Sequence, residues 1–172
     1  LDENNFECHW IMCEVRMMVA RLEDAELHHQ KAFALNPNDP RVVAQRSELL
    51  TWLGRPVEGA DWARQAMRLD PYNAAGRAHL LGRALYVARS YEDAIEAFRQ
   101  VRAPSFKHQA EIAACHAQLG SDEKASLHAG KVLSLKPDFS IADHVQGLPF
   151  KKSRDRDQYR DGLRKAGLPE RA

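Results

Sequence analysis

Long apolar runs are missing from this sequence. No stretch approaches the roughly 18 residues that a membrane-spanning helix needs. No signal peptide is visible, because Leu1-Asp2-Glu3-Asn4-Asn5 is acidic and polar with no apolar core behind it, and none is expected. Net charge is almost absent, at +1 over 172 residues, so no global field draws the chain to nucleic acid or to a membrane surface. Cysteine is scarce. Cys8, Cys13 and Cys115 are odd in number and follow no disulfide framework, which points to a reducing compartment and a cytoplasmic location.

Catalytic signatures are also lacking. The sequence has no Gly-rich phosphate loop, no Gly-x-Ser-x-Gly and no His-Glu-x-x-His. Its adjacent ligand types do not converge. Cys115-His116 and Cys8-His9 are neighbours on helical stretches, where side chains point about 100° apart. His28-His29 reads as a pair of solvated or packed helix histidines, and Glu92-Asp93 and Asp122-Glu123 as the acidic first turns of helices. The expectation is a chain with no catalytic residue, no metal site and no cofactor.

What is present is a repeat. Hydrophobic content of 44% and charged content of 28% describe an ordinary globular chain. Four stretches look alike: LDENN at 1–5, LNPND at 35–39, LDPYN at 69–73 and LKPDF at 135–139. The first three are spaced 34 and 34 residues apart and the fourth a further 66, close to two more periods. Such a period marks a solenoid of stacked helical hairpins. The second helices align as LEDAELHHQKAFAL (22–35), PVEGADWARQAMRL (56–69), YEDAIEAFRQV (91–101) and DEKASLHAGKVLSL (122–135). Each opens on acidic residues that suit the positive end of a helix, and the turns Leu53-Gly54-Arg55 and Leu119-Gly120-Ser121 use Gly as a helix stop.

These marks resemble the tetratricopeptide repeat. The third unit carries them best, with Leu81, Gly82, Tyr91, Ala94 and Phe98. Gly54, Ala66 and Pro71, then Gly120, Ala125 and Pro137, and Ala25, Ala32 and Pro37 carry the others. The resemblance implies an all-α fold, a tetratricopeptide-repeat right-handed superhelix closed by C-terminal capping helices. About four hairpins are expected, at 6–37, 40–71, 75–104 and 106–137, with capping helices and tail over 138–172. VRAPSF at 101–106 replaces the usual repeat ending, so a local change of stagger is expected there. LDENN reads as the end of a preceding unit, so a catalytic or other N-terminal domain is expected upstream.

In the family's register, first helices line a concave groove that holds an extended or helical peptide. The residues expected there include Trp10, Glu14, Arg41, Glu48, His79, Arg83, Tyr86 and Lys107, with Glu7, Met17, Thr51, Trp52, Ala110, Ala114 and Ala117 beside them. The Lys/Asn clamp by which some relatives grip a terminal carboxylate is replaced by Trp10, Glu14, Gln45, Gly76 and Leu80, which argues against that ligand. The expected partner is a protein or peptide, or the chain's own N-terminal domain. Open array ends would also expose apolar faces and permit self-association.

The tail does not repeat. DFSIADHVQG (138–147) reads as a short helix with Phe139, Ile141 and Val145 turned inward. After Leu148-Pro149-Phe150, Ser153 can cap a last helix that ends at Gly167. Tyr159, Leu163 and Ala166 form its apolar face, suited to covering the last repeat. Lys151–Ala172 has eight bases and four acids, net +4, and Leu1–Asn36 has seven acids and three bases, net −4. In a linear array these charges would lie at opposite ends. Pro149, Phe150, Lys151 and the run Gly162-Leu163-Arg164-Lys165-Ala166-Gly167-Leu168-Pro169 are similar to the C-terminal repeat region of bacterial class III adenylate/guanylate cyclases. That resemblance implies a regulatory module of a cyclic-nucleotide signalling protein. A free-standing adaptor or scaffold is the alternative, and an enzyme site around His79, Arg83 and Tyr86 is a third reading.

Overall fold

The computed structural model describes residues 4–171, so the assignment of Leu1, Asp2 and Glu3 to the end of a preceding repeat lies outside the described residues. Ten α-helices are seen among them: α1 Phe6–Met18, α2 Leu22–Leu35, α3 Pro40–Trp52, α4 Pro56–Leu69, α5 Ala74–Val87, α6 Tyr91–Arg99, α7 Phe106–Gln118, α8 Asp122–Leu135, α9 Ile141–Gln146 and α10 Ser153–Lys165. A single 3-10 turn, Pro71–Asn73, leads into α5.

The first helices α1, α3 and α7 start on a side-chain cap, whereas α5 follows the 3-10 turn without one. Asn5 and Asp39 accept hydrogen bonds from the backbone N–H of Glu7 and Arg41 at the mouths of α1 and α3. Ser105 and His108 form a reciprocal cap on α7. The second helices have no side-chain cap and rely on first-turn acids such as Glu23, Asp24, Glu92, Asp93, Asp122 and Glu123. Between hairpin halves the chain turns through a left-handed residue: Gly54 at φ 77° and Gly120 at φ 68°, but Ala20 at φ 56° and Arg89 at φ 67°. The last two bear the strain that glycine avoids.

Small residues set the spacing inside each hairpin. Ala25, Ala32, Ala63, Ala66, Ala94 and Ala125 are all fully buried. At Gly82 a Cβ would stand 2.7 Å from the Phe98 ring, so the glycine of α5 is the seat on which the aromatic of α6 lies. α6 is shorter than the other second helices, at nine residues against fourteen, because the chain leaves it at Gln100 to enter the Val101–Ser105 loop.

Two apolar clusters result. The larger runs from Val43 through α5–α8 to Leu163 and Leu168, and the smaller joins Cys13, Met17, Leu22 and Ala25 to Leu49, Trp52 and Leu53. Leu148 and Phe150 pack against both.

The C-terminal segment departs from a simple end cap. α9 buries Ile141 and Val145 beside Phe139, in line with its amphipathic pattern. The chain then turns back. The backbone N–H of Lys151 donates to the Trp52 carbonyl (3.0 Å), and Lys151 Nζ lies 2.6 Å from Glu23 in the first hairpin. The net-negative start and the basic tail therefore meet, which corrects the placement of their charges at opposite ends. α10 runs from there across α5 to α7. Ser153 is its first residue and gives no side-chain cap; the entry is made by extended Lys152, whose ammonium reaches the Gly54 carbonyl at 2.6 Å. Tyr159, Leu163 and Ala166 are buried as their spacing predicts. The last residues tie the lid down, with Ile141 and Ala142 donating N–H bonds to the carbonyls of Pro169 and Glu170, and Arg160 paired with Glu170.

Candidate functional site

α1, α3, α5 and α7 pack in succession, and their shared face forms an open groove of 650 Å³. Glu14, Glu48, His79, Arg83 and Lys107 line it, with Met17, Met18 and Trp52 as its apolar part. Gly147, Leu148 and Pro149 of the returning tail form one wall. Five of the eight groove residues read from the sequence are thus brought together.

The other three lie elsewhere. Arg41 sits over the Trp10 ring at 5.3 Å and the Phe6 ring at 5.5 Å, and pairs with Glu7 and Asp39, building the rim of the first two hairpins rather than the groove. Tyr86 is only 2% exposed, because the tail covers it. Its hydroxyl donates to the Gln158 carbonyl at 3.2 Å, and its ring stands edge-on to Tyr159 at 5.4 Å. Thr51, Ala110, Ala114 and Ala117 are buried as well. Thr51 points into the seam with α4, where its hydroxyl bonds the Ser47 carbonyl. Ala114 is small because α10 lies on it: a Cβ on Gly162 would come within 3.1 Å of the Ala114 Cβ and 2.6 Å of the Tyr86 hydroxyl.

Arg83 is the electrostatic centre. Its Nε donates to Glu111 at 2.7 Å, its Nη1 to Glu48 at 3.1 Å, and its guanidinium lies 5.1 Å from the Trp52 ring centre. Burial opposes its charge, but Glu111 and Glu48 outweigh that and hold it protonated. This partly buried network orients α3, α5 and α7 against one another. Beneath it a 10 Å³ cavity, about the room for one water, is closed by Phe150 and Tyr159.

The open part of the groove has less balanced charge. Glu14 accepts from the Gln45 amide at 3.4 Å, and burial together with nearby Glu48 raises its pKa. His79 and His108 face each other at 5.5 Å, and burial lowers the pKa of both. Lys107 is exposed at the far end. No group of three or more potential metal ligands is found among the described residues. The cysteines are unpaired. Cys13 and Cys115 are fully buried, and burial pushes the Cys13 thiol up to about 12 and that of Cys115 upward too. No helix among the described residues is long and apolar enough to cross a membrane.

Sequence reasoning missed the tail as a groove component. Two signals pointed to it: the opposite charges of the chain's two ends, and the small-residue stripe of α7 facing Gly162.

No family model matches the chain. Over 71 residues it is 35% identical to small glutamine-rich tetratricopeptide repeat-containing protein 2 of Mycosarcoma maydis, a match covering 41% of this chain and 20% of that protein. The chain thus spans about a fifth of that relative's length. The structure is similar to that of PilF from Pseudomonas aeruginosa, with a TM-score of 0.68 and 16% identity, over 94% of this chain and 76% of the other. It is also similar to YrrB, a tetratricopeptide-repeat protein with an unusual peptide-binding site, with a TM-score of 0.61 and 18% identity, over 96% and 86% of the two chains. The fold is an all-α tetratricopeptide-repeat solenoid.

Proposed function

We propose that this chain is a protein-interaction module whose open groove holds a segment of a protein partner. The groove carries the proposal: 650 Å³ of open space beside α1, α3, α5 and α7, where an underpaired Glu14 faces solvent near Met17, Met18 and Trp52. A carboxylate next to apolar surface suits a side chain that brings a cation and apolar carbons together. The peptide-binding site named for YrrB supports the same use of the fold.

The module's setting is also a proposal. The wording of the tail supports a parent protein in bacterial cyclic-nucleotide signalling, with the partner segment coming from another protein or from a domain of the same one. Of His79, Arg83 and Tyr86, Arg83 is held between two carboxylates and Tyr86 lies under the lid, while His79 lines the groove.

Peptide-library selection on the full chain tests the groove. Selected ligands should lose at least about tenfold in affinity on Glu14→Lys or Lys107→Glu, as for a lost charge-assisted contact. Selection that yields no ligand sensitive to either change would overturn the proposal.

A further inference from the structure

The segment between α9 and α10, Leu148–Lys152, has the contacts of a bound peptide. Phe150 stands edge-on to Trp52 at 4.8 Å. The Lys151 N–H donates to the Trp52 carbonyl at 3.0 Å. Lys151 Nζ reaches Glu23 and Lys152 Nζ reaches the Gly54 carbonyl, each at 2.6 Å. Lys152 thus sits at the carbonyl end of α3, where a cation is favoured. All of these partners belong to the first two hairpins.

The rest of the tail is held by other means. Tyr159, Leu163, Ala166 and Leu168 are at most 4% exposed and belong to the larger cluster with α5 and α7. Gln118 Nε2 donates to the Gln158 carbonyl at 3.1 Å, and Gln158 Nε2 to the Tyr91 hydroxyl at 2.9 Å. By contrast Leu148, Pro149, Phe150 and Lys152 are half-buried and Lys151 is exposed. Phe150 also meets α10, its ring 6.3 Å from that of Tyr159, whereas Gln158 and Gly162 of α10 are seated on Gln118, Tyr91 and Ala114 without the crossing segment.

Lifting it would bare Trp52 and the end of α3, free the exposed Glu23 from its pair, and join this surface to the open groove at Glu14 and Glu48. We propose that Leu148–Lys152 is a displaceable ligand in cis, and that the groove's partner is a peptide in which an aromatic residue is followed by two cations. The partner's aromatic takes the face of Trp52, its backbone N–H takes the Trp52 carbonyl, and its cations take Glu23 and the Gly54 carbonyl. This rests on the reading of the groove as a site for a protein segment. Tethering gives the cis segment an effective concentration in the millimolar range, so the closed chain resists weak competitors and yields to strong or multivalent ones.

The test uses the full chain and a fluorescent synthetic peptide with the sequence of residues 146–156. Fluorescence anisotropy is measured on the wild type, on Phe150→Ala and on Lys151→Glu. The Lys151–Glu23 pair is exposed, at 49% and 72%, so Lys151→Glu loosens the seat without disturbing the core. Phe150→Ala should bind the peptide at least about tenfold more tightly than the wild type, and Lys151→Glu, which breaks only an exposed pair, about two- to fivefold more tightly. Glu23→Lys added to Phe150→Ala should undo the gain, and a peptide with both lysines replaced by glutamate should not bind. Equal affinity for wild type and both variants, or equal binding of the charge-reversed peptide, would overturn the proposal. A library-selected groove ligand indifferent to Phe150→Ala and Lys151→Glu would overturn it while leaving the interaction module standing.

Discussion

α1 and α7 occupy the same place in their hairpins and have the same length, yet their surroundings are opposite. The sixth, tenth and thirteenth residues of α1 are Ile11, Val15 and Met18, and they are 51%, 43% and 75% exposed. In α7 the same places hold Glu111, Cys115 and Gln118, of which Glu111 is 6% and Cys115 0% exposed. Apolar side chains thus face solvent at one end while a carboxylate is buried at the other. Cover, not residue type, decides burial here. α7 lies between α5, α8 and α10, whereas nothing among the described residues covers the outer face of α1. The equivalent positions in α3 are Gln45, Leu49 and Trp52, which the first hairpin buries.

The largest contrast should come from truncating one apolar side chain in each region. Leu163 is fully buried under the lid, so Leu163→Ala should cost about 2–5 kcal/mol in urea unfolding. Val15→Ala, on the uncovered face, should stay within about 0.5 kcal/mol. Similar losses at the two sites would mean that the α1 stripe is covered in solution.

Glycines sharpen the same contrast. Gly162→Val should cost about 1–3 kcal/mol, because its Cβ would meet Tyr86 and Ala114. Gly130, inside α8, has no neighbour within 4 Å of an added Cβ. Gly130→Ala should raise stability by up to about 1 kcal/mol through helix propensity. A stabilising Gly162→Val would place α10 elsewhere, and a destabilising Gly130→Ala would mean that this face of α8 is covered in solution.

Acid should loosen the covered end. Burial, aided by Lys107 and Arg83, lowers the His144 pKa to about 4, and its Nε2 lies 3.0 Å from the Tyr159 hydroxyl. The unfolded chain takes up this proton near pH 6.5. Between those values the unfolded state binds more protons, so the contribution is complete above pH 6.5 and is lost as pH falls towards 4. The loss should be up to about 3 kcal/mol, and His144→Gln should flatten that part of the stability–pH curve.

The smallest effects belong to the turns. Ala20→Gly should stabilise by about 0.5–1 kcal/mol, since it relieves a positive φ. Arg89→Gly should gain less, because it also removes the hydrogen bond from Arg89 Nε to Gln158 Oε1, 3.2 Å long, that holds the lid. Equal thermal shifts would deny that bond any weight.

Most of the hairpin architecture was legible in the sequence because its signals are local. Gly82 and Phe98 lie in one hairpin, and the left-handed turns sit where Gly54 and Gly120 mark them. The apolar face of α10 was legible from the spacing of Tyr159 and Leu163. Its destination was not, because the contacts that aim it join residues as far apart in sequence as Glu23 and Lys151. The groove was legible only in part for the same reason. Glu14, Glu48, His79, Arg83 and Lys107 follow from the repeat register, but Tyr86 belongs to the groove only until α10 is laid across it.

Amide hydrogen exchange on the full chain tests the returning tail most directly. With α10 and the crossing segment seated, the α7 amides should exchange at least about a hundredfold more slowly than those of α1, and the Lys151 amide should be protected by its bond to the Trp52 carbonyl. Equal protection of α1 and α7, together with a Lys151 amide exchanging at the rate of an unstructured peptide, would contradict it.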